Sequence, residues 1–81
     1  MPENPQTRQF CENLANLLRQ ERERKKLSRA VVGKRAKLSA QTILRVERGQ
    51  CDPAFNSFIR IADALEIAPA KILAQAEKLQ Q

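Results

Sequence analysis

The sequence lacks histidine, tryptophan and tyrosine, and its 81 residues include only two glycines and two cysteines. Without histidine, imidazole acid–base catalysis and histidine-ligated zinc are excluded. The two cysteines do not form a Cys-x-x-Cys pair, so a four-ligand structural zinc site is not expected. Two glycines are too few for the three-glycine motif that binds dinucleotides. We therefore expect no enzyme activity, no cofactor and no metal ion.

Long apolar stretches are also missing. No run approaches the roughly 18 apolar residues that a membrane-spanning helix needs, and the polar N-terminus does not resemble a signal peptide. These features predict a cytoplasmic protein with no membrane partner and with reduced thiols. Cys11 is interpreted as a small apolar filler and Cys51 as a loop thiol, because no local pattern supports a redox role.

The chain is short enough for a single core. Residues 1–6 contain two prolines and little apolar content, which predicts a flexible leader, and residues 7–81 are predicted to form one domain. Thr7 is a candidate N-cap for the first helix. Apolar residues spaced three and four apart, beginning at Phe55, predict a fourth helix with one apolar side in the core.

Two serines organise the middle of the sequence. Ser28 and Ser39 are candidate N-caps of two short helices, which together form a helix-turn-helix unit over residues 28–48. Pro69 suits the first turn of a fifth helix, over residues 69–79, that is a candidate dimerisation helix. No alternating pattern typical of strands is present, so the predicted fold class is all-α with five short helices.

Positive charge is concentrated in the same region. The chain has 15 basic and nine acidic residues, for a net charge of +6. Residues 19–48 hold eleven of the basic residues and only three acidic ones, a local charge of +8. Such a stretch is typical of a protein that binds the phosphates of duplex DNA, although a solvated face that keeps the protein soluble is the alternative.

The segment over residues 27–49 reads LSRAVVGKRAKLSAQTILRVERG. It resembles the helix-turn-helix of the lambda-repressor-like (Xre/Cro) family. The matching positions are Ser28, Val32, Leu38, Ser39, Thr42, Ile43, Val46, Glu47 and Gly49. The resemblance continues through the fourth and fifth helices, and it implies a compact five-helix DNA-binding domain in which helices 2 and 3 form the helix-turn-helix.

Gly33 stands where the family has alanine, and a small residue suits the close crossing of the two helices there. Two other positions depart from that family's pattern. Lys37 stands in the turn, where the family often has glycine; with a positive φ it would cost about 1 kcal/mol. Glu21 stands where the first helix usually carries an apolar residue.

The resemblance implies that helix 3 reads base edges in the major groove of double-stranded DNA. The candidate base-reading residues are Ala40, Gln41, Thr42, Leu44 and Arg45. Gln41 suits adenine and Arg45 suits guanine; a plain exposed position for the first, and a phosphate contact for the second, are the alternatives. The candidate phosphate-contacting residues are Arg29, Lys37, Arg48, Gln50, Asn56 and Ser57. Glu47 is expected to pair with Arg22 as a structural ion pair, the alternative being a contact to cytosine.

The predicted function is a sequence-specific transcriptional regulator that binds a palindromic operator as a homodimer. The expected role is that of a repressor or autoregulator, such as a small phage repressor or a restriction-modification controller protein. The candidate dimer interface is the apolar side of helix 5, with Ile72, Ala76 and Leu79; packing of that helix within the chain is the alternative. Two other functions stay open. One is an antitoxin or other interaction module that binds a toxin or another protein, and the other is a non-specific nucleic-acid binder.

Overall fold

The computed structural model describes residues 4–49 and 54–80, and these residues form five α-helices and no strand. The helices are α1 (Pro5–Arg24), α2 (Arg29–Ala36), α3 (Ala40–Glu47), α4 (Phe55–Ala64) and α5 (Pro69–Lys78). The predicted all-α fold class is confirmed. Gln50 and Cys51, for which the sequence predicts a phosphate contact and a loop thiol, lie outside the described residues.

The first helix begins earlier than the sequence pattern indicates. Asn4 is its N-cap, with the side chain accepting a hydrogen bond of 2.8 Å from the amide of Gln6, and Pro5 occupies the first turn. The prediction that Thr7 is the cap is therefore wrong. Asn is as good a cap as Thr, and Pro at the first helical position fixes φ where no amide donor is needed.

Apolar residues from every helix meet in one core. Both α3 and α4 pack against α2, while α1 packs against α3 and α5. The largest fully buried side chains are Leu18, Val32, Ile43, Leu65 and Ile72. Burying one such side chain stabilises the folded state by about 1.5–3 kcal/mol. The core is indispensable, because α2 and α3 have only eight residues each and are too short to be stable alone.

Phe55 does not belong to this core, and 73% of it is exposed. Its spacing to Phe58 and Ala62 puts it on the buried side of α4, but it is the first residue of that helix. Side chains in a helix lean toward the N-terminus, so the Phe55 ring leans past the beginning of α4 and away from the turns of that helix that pack on the core. The prediction that Phe55 is a core residue is wrong for this reason.

The apolar side of α5 is buried within the chain. Ile72 and Ala76 are both 0% exposed, because α5 packs on α1 and α4. These two residues are therefore unavailable to a second copy, which corrects the predicted dimer interface. Leu79, the third residue of that prediction, is 59% exposed.

A set of polar contacts joins the first half of α1 to the C-terminal end of α5. The buried Asn13 amide donates to the Gln80 side-chain oxygen at 3.1 Å and to the Ala76 carbonyl at 3.5 Å, and it accepts from Gln9 at 3.0 Å. The Gln80 amide in turn donates to the Gln6 carbonyl at 2.9 Å. These contacts satisfy a buried amide that would otherwise cost about 1–3 kcal/mol.

Three helices end in a left-handed residue that is not glycine. Lys26, Lys37 and Glu66 have φ values of 58°, 59° and 58°. In each case the next amide donates to the carbonyl five residues earlier, at 2.8 to 3.1 Å, which closes the helix end. A side chain in this conformation is strained relative to glycine by about 1 kcal/mol. The backbone strain that the sequence predicts for Lys37 is thus present in the turns at Lys26 and Glu66 as well.

Glu21 is partly buried at the end of α1, with 20% of its side chain exposed. Arg24 donates two hydrogen bonds to its carboxylate, at 2.7 and 3.3 Å. These hydrogen bonds hold the pKa of Glu21 below its ordinary value; burial opposes this shift, and the charges of Arg24, Lys25 and Lys71 add to it. The carboxylate therefore replaces the usual apolar residue without being left unpaired.

The strain at the α4 terminus predicts that Glu66→Gly stabilises the protein. The Glu66 side chain is exposed, so the gain comes from the backbone alone and should reach about 1 kcal/mol in the free energy of unfolding. Urea denaturation followed by circular dichroism measures it. Glu66→Ala, which removes the same carboxylate but keeps Cβ, should give no gain; equal stabilisation by both variants would contradict the strain.

The lowered pKa of Glu21 predicts a pH-dependent contribution to stability. A carboxylate with a depressed folded-state pKa stabilises the protein above its unfolded pKa, and that contribution is lost as the pH falls through the folded value. Glu21→Gln should thus lower the free energy of unfolding by about 0.5 kcal/mol at neutral pH, and this deficit should shrink as the pH falls below the unfolded pKa. Arg24→Gln should reproduce most of this pH dependence, and a Glu21→Gln deficit that persists in acid would refute it.

Candidate nucleic-acid interface

Two serine caps and one close approach shape the α2–α3 unit. The Ser28 hydroxyl accepts from the Val31 amide at 3.1 Å, and the Ser39 hydroxyl accepts from the Thr42 amide at 3.0 Å. A Cβ atom on Gly33 would lie only 2.5 Å from the carbonyl oxygen of Leu38. Glycine at this position thus lets α2 approach the turn that leads into α3.

Helix α3 has one side in the core and one side in solvent. Ile43 and Val46 are 1% and 3% exposed, and they pack α3 against the core. Gln41, Arg45 and Arg48 lie on the opposite side at helical spacing, and all three are exposed. With eight residues, α3 is about 12 Å long, which is comparable to the width of the DNA major groove.

The five candidate base-reading residues are not equally accessible. Ala40, Gln41 and Arg45 are exposed, whereas Thr42 and Leu44 are half-buried. The Thr42 hydroxyl lies 2.8 Å from the Ser39 hydroxyl, so it already has a hydrogen-bond partner at the start of α3. Gln41 and Arg45, one turn apart, are the long polar side chains that the structure leaves on this surface.

Glu47 and Arg22 meet at the end of α3. The Arg22 guanidinium donates to both carboxylate oxygens of Glu47, at 2.6 and 3.1 Å, and to the Leu27 carbonyl at 2.9 Å. Arg22 and Glu47 are 8% and 6% exposed. Arg29 also donates to Glu47, at 2.9 Å. One buried carboxylate thus joins α1, the start of α2 and the end of α3.

The candidate phosphate contacts fall into two groups. Lys37 and Arg48 are exposed and flank the two ends of α3. Arg29 and Asn56 have hydrogen-bond partners within the protein. Arg29 donates to Glu47, and the side-chain oxygen of Asn56 accepts from Arg60 at 3.0 Å. The Arg29 side chain is still 40% exposed, Asn56 is exposed and Ser57 is half-buried.

Many of the basic residues have intramolecular roles. Of the eleven in residues 19–48, six donate to acidic side chains or to backbone carbonyls: Arg19, Arg22, Arg24, Lys25, Arg29 and Arg35. The other five are exposed, and no hydrogen bond or ion pair involves their side chains in the described ranges: Lys26, Lys34, Lys37, Arg45 and Arg48. Four of these five belong to the unit over residues 28–48, where they are available to a polyanion.

Sequence reasoning missed the basic side chains that bond to helix C-termini. Arg60 donates to the carbonyls of Ala36 and Lys37, each at 2.8 Å. Lys25 donates to the Leu65 carbonyl, and Arg35 to the Ala64 carbonyl at 3.4 Å. The only signal in the sequence is the absence of glycine where α2 and α4 end, which leaves their last carbonyls in need of another partner.

Comparison with known proteins bears on what this surface does. A family model described as a helix-turn-helix domain matches residues 13–74. Neither a comparison with curated proteins nor one with solved structures gives a match. In the described ranges no helix is long and apolar enough to cross a membrane, and no three potential metal-ligating side chains of His, Cys, Asp or Glu are grouped.

Because Arg22 is buried against Glu47, we predict that Glu47→Gln is strongly destabilising. The substitution keeps the shape but removes the close counter-charge of a buried guanidinium, whose other acidic neighbour, Glu23, lies 3.9 Å away. This loss should cost about 3 kcal/mol of unfolding free energy. Thermal and urea denaturation measure the loss. Glu77→Gln is the matched control, because Glu77 is an exposed acid on α5; it should cost less than about 0.5 kcal/mol. Equal effects of the two substitutions would refute a structural role of Glu47.

Proposed function

Because the chain belongs to the helix-turn-helix domain family, we propose that it is a sequence-specific regulator of transcription that binds double-stranded DNA as a homodimer. In this proposal α3 lies in the major groove and reads base edges. The proposal extends to a lambda-repressor-like mode of binding and to a repressor or autoregulator role in the cytoplasm. It assigns no catalytic activity to the chain.

The observation that carries this proposal is the orientation of α3. Its apolar side is in the core, its last residue Glu47 is held by two arginines, and Gln41 and Arg45 remain exposed. A helix held in this way presents the same side chains to every ligand. Such preorganisation favours base recognition, because little backbone entropy remains to be lost on binding.

Roles follow from the chemistry of the exposed side chains. Arg45 has the planar donor pair that matches guanine O6 and N7, and Gln41 has the donor and acceptor that match adenine. Lys37 and Arg48, at the two ends of α3, suit phosphates on either side of the groove. Arg29 is oriented by Glu47, the last residue of α3, and supplies a third cation.

A homodimer fits the size of the domain. One small module covers a limited length of DNA, and two copies related by a two-fold axis read half-sites about one helical turn apart. The contact between copies does not use Ile72 and Ala76, which are buried. Of the exposed large apolar side chains in the described ranges, Leu79 is on the α5 side of the molecule and Phe55 is at the start of α4.

A gel-shift experiment tests the proposal. The DNA immediately upstream of the gene is the first probe, with scrambled duplex as competitor. Wild-type protein should give a discrete complex that resists the competitor, and nuclease protection should show two half-sites. Arg45→Ala should weaken this complex by at least about 10-fold, since each of the two copies loses a base contact worth about 1–3 kcal/mol, and it should change binding to scrambled duplex far less.

Lys78→Ala is the matched control, because Lys78 is an exposed cation outside the α2–α3 unit. It removes the same charge and should keep the specific complex. Equal competition by scrambled duplex for all three proteins would show binding by charge alone and would overturn sequence-specific recognition at this site. A stable complex with another protein in place of DNA would favour the interaction-module alternative.

A further inference from the structure

Arg60 makes more intramolecular hydrogen bonds than any exposed cation of the α2–α3 unit. Its Nε donates to the Ala36 carbonyl at 2.8 Å, its Nη2 to the Lys37 carbonyl at 2.8 Å, and its Nη1 to the Asn56 side-chain oxygen at 3.0 Å. All three guanidinium nitrogens are thus committed to the protein, and the residue is half-buried. Arg60 is therefore poorly placed to bind a phosphate directly.

The two carbonyls that Arg60 binds belong to the turn between α2 and α3. Lys37 is left-handed, with φ 59° and ψ 44°, and only three residues separate α2 from α3. A change of φ at Lys37 would therefore redirect the start of α3. Because a lysine does not favour this conformation, the turn needs an external contact to hold it.

The other strained turns have the same device. At the Lys26 turn, Arg22 donates to the carbonyl of Leu27 at 2.9 Å. At the Glu66 turn, Lys25 donates to the carbonyl of Leu65. A cation that bonds to the last carbonyls of a helix also interacts favourably with the negative end of the helix dipole. The Lys37 turn differs in that its cation binds two successive carbonyls, and in that it leads into the proposed recognition helix.

We infer that Arg60 is a positioning residue for DNA binding: it holds Lys37 in the left-handed conformation and thereby fixes where α3 and the Lys37 side chain meet the DNA. The inference rests on the proposed function. The third hydrogen bond of Arg60 orients Asn56. A single side chain on α4 thus sets the positions of two candidate phosphate contacts, Lys37 and Asn56. Arg60 acts through these groups and does not itself touch the nucleic acid.

The test is a double-substitution cycle. Arg60→Met keeps much of the side-chain length but removes every donor, and it should weaken specific DNA binding about tenfold at a temperature where circular dichroism shows the variant to be folded. In a Lys37→Gly background, glycine adopts the left-handed conformation without help. Adding Arg60→Met there should therefore weaken binding only about twofold.

Lys26→Gly provides the matched background, because it also replaces a left-handed lysine with glycine, at a turn that Arg60 does not contact. Arg60→Met should retain its full tenfold effect in this background. Nuclear magnetic resonance couplings of the residue 37 amide report its φ directly. These couplings should differ between wild-type protein and Arg60→Met. They should be the same in Lys37→Gly and in Lys37→Gly/Arg60→Met.

The outcomes separate the two proposals. If wild-type protein shows no sequence preference while the couplings respond to Arg60→Met as stated, the proposed function fails and the bracing of the turn stands without its role in DNA binding. If wild-type binding is specific but Arg60→Met weakens it equally in all three backgrounds, Arg60 acts as a phosphate contact or through general stability. That result, or unchanged couplings at Lys37, overturns the inference.

Discussion

The buried carboxylate of Glu47 is the interaction on which the α2–α3 geometry depends. A carboxylate at 6% exposure is tolerated only with its charge compensated, and Arg22 and Arg29 supply that compensation at 2.6 to 3.1 Å. Because the two arginines come from α1 and the start of α2, Glu47 has one low-energy position. The rotation of α3 about its axis is fixed with it, and so is the solvent exposure of Gln41 and Arg45.

A second constraint comes from how the short helices end. Lys26, Lys37 and Glu66 occupy left-handed positions that glycine would fill without strain. Each of these turns receives a hydrogen bond from an arginine or lysine side chain at or next to the helix end. Part of the positive charge of this chain therefore stabilises the fold through helix termini and ion pairs, which counts of basic residues do not reveal.

The helices and their order follow from local patterns, because serine caps, apolar spacing and Pro69 act within a few residues of themselves. Phe55 escaped prediction because the spacing rule ignores that a first-turn side chain leans beyond its helix. The burial of Ile72 and Ala76 within the chain was not predicted, because an amphipathic pattern shows which side of a helix is buried but not which element it packs against. Arg60 escaped because its partners are more than 20 residues away in sequence and only the packing of α4 on α2 brings them together.

The number of basic side chains that have no intramolecular partner bears on the oligomeric state. Only five of the eleven basic residues in residues 19–48 are exposed and without intramolecular contacts in the described ranges. Each phosphate neutralised steepens the salt dependence of binding by about 0.9 in log–log slope, so these five cations contribute a slope of at most about 5 per copy and a modest electrostatic affinity. Two copies on one operator double the number of phosphates and add a second recognition helix. The small number of unengaged cations within residues 19–48 therefore supports the proposed homodimer, independent of which surface joins the copies.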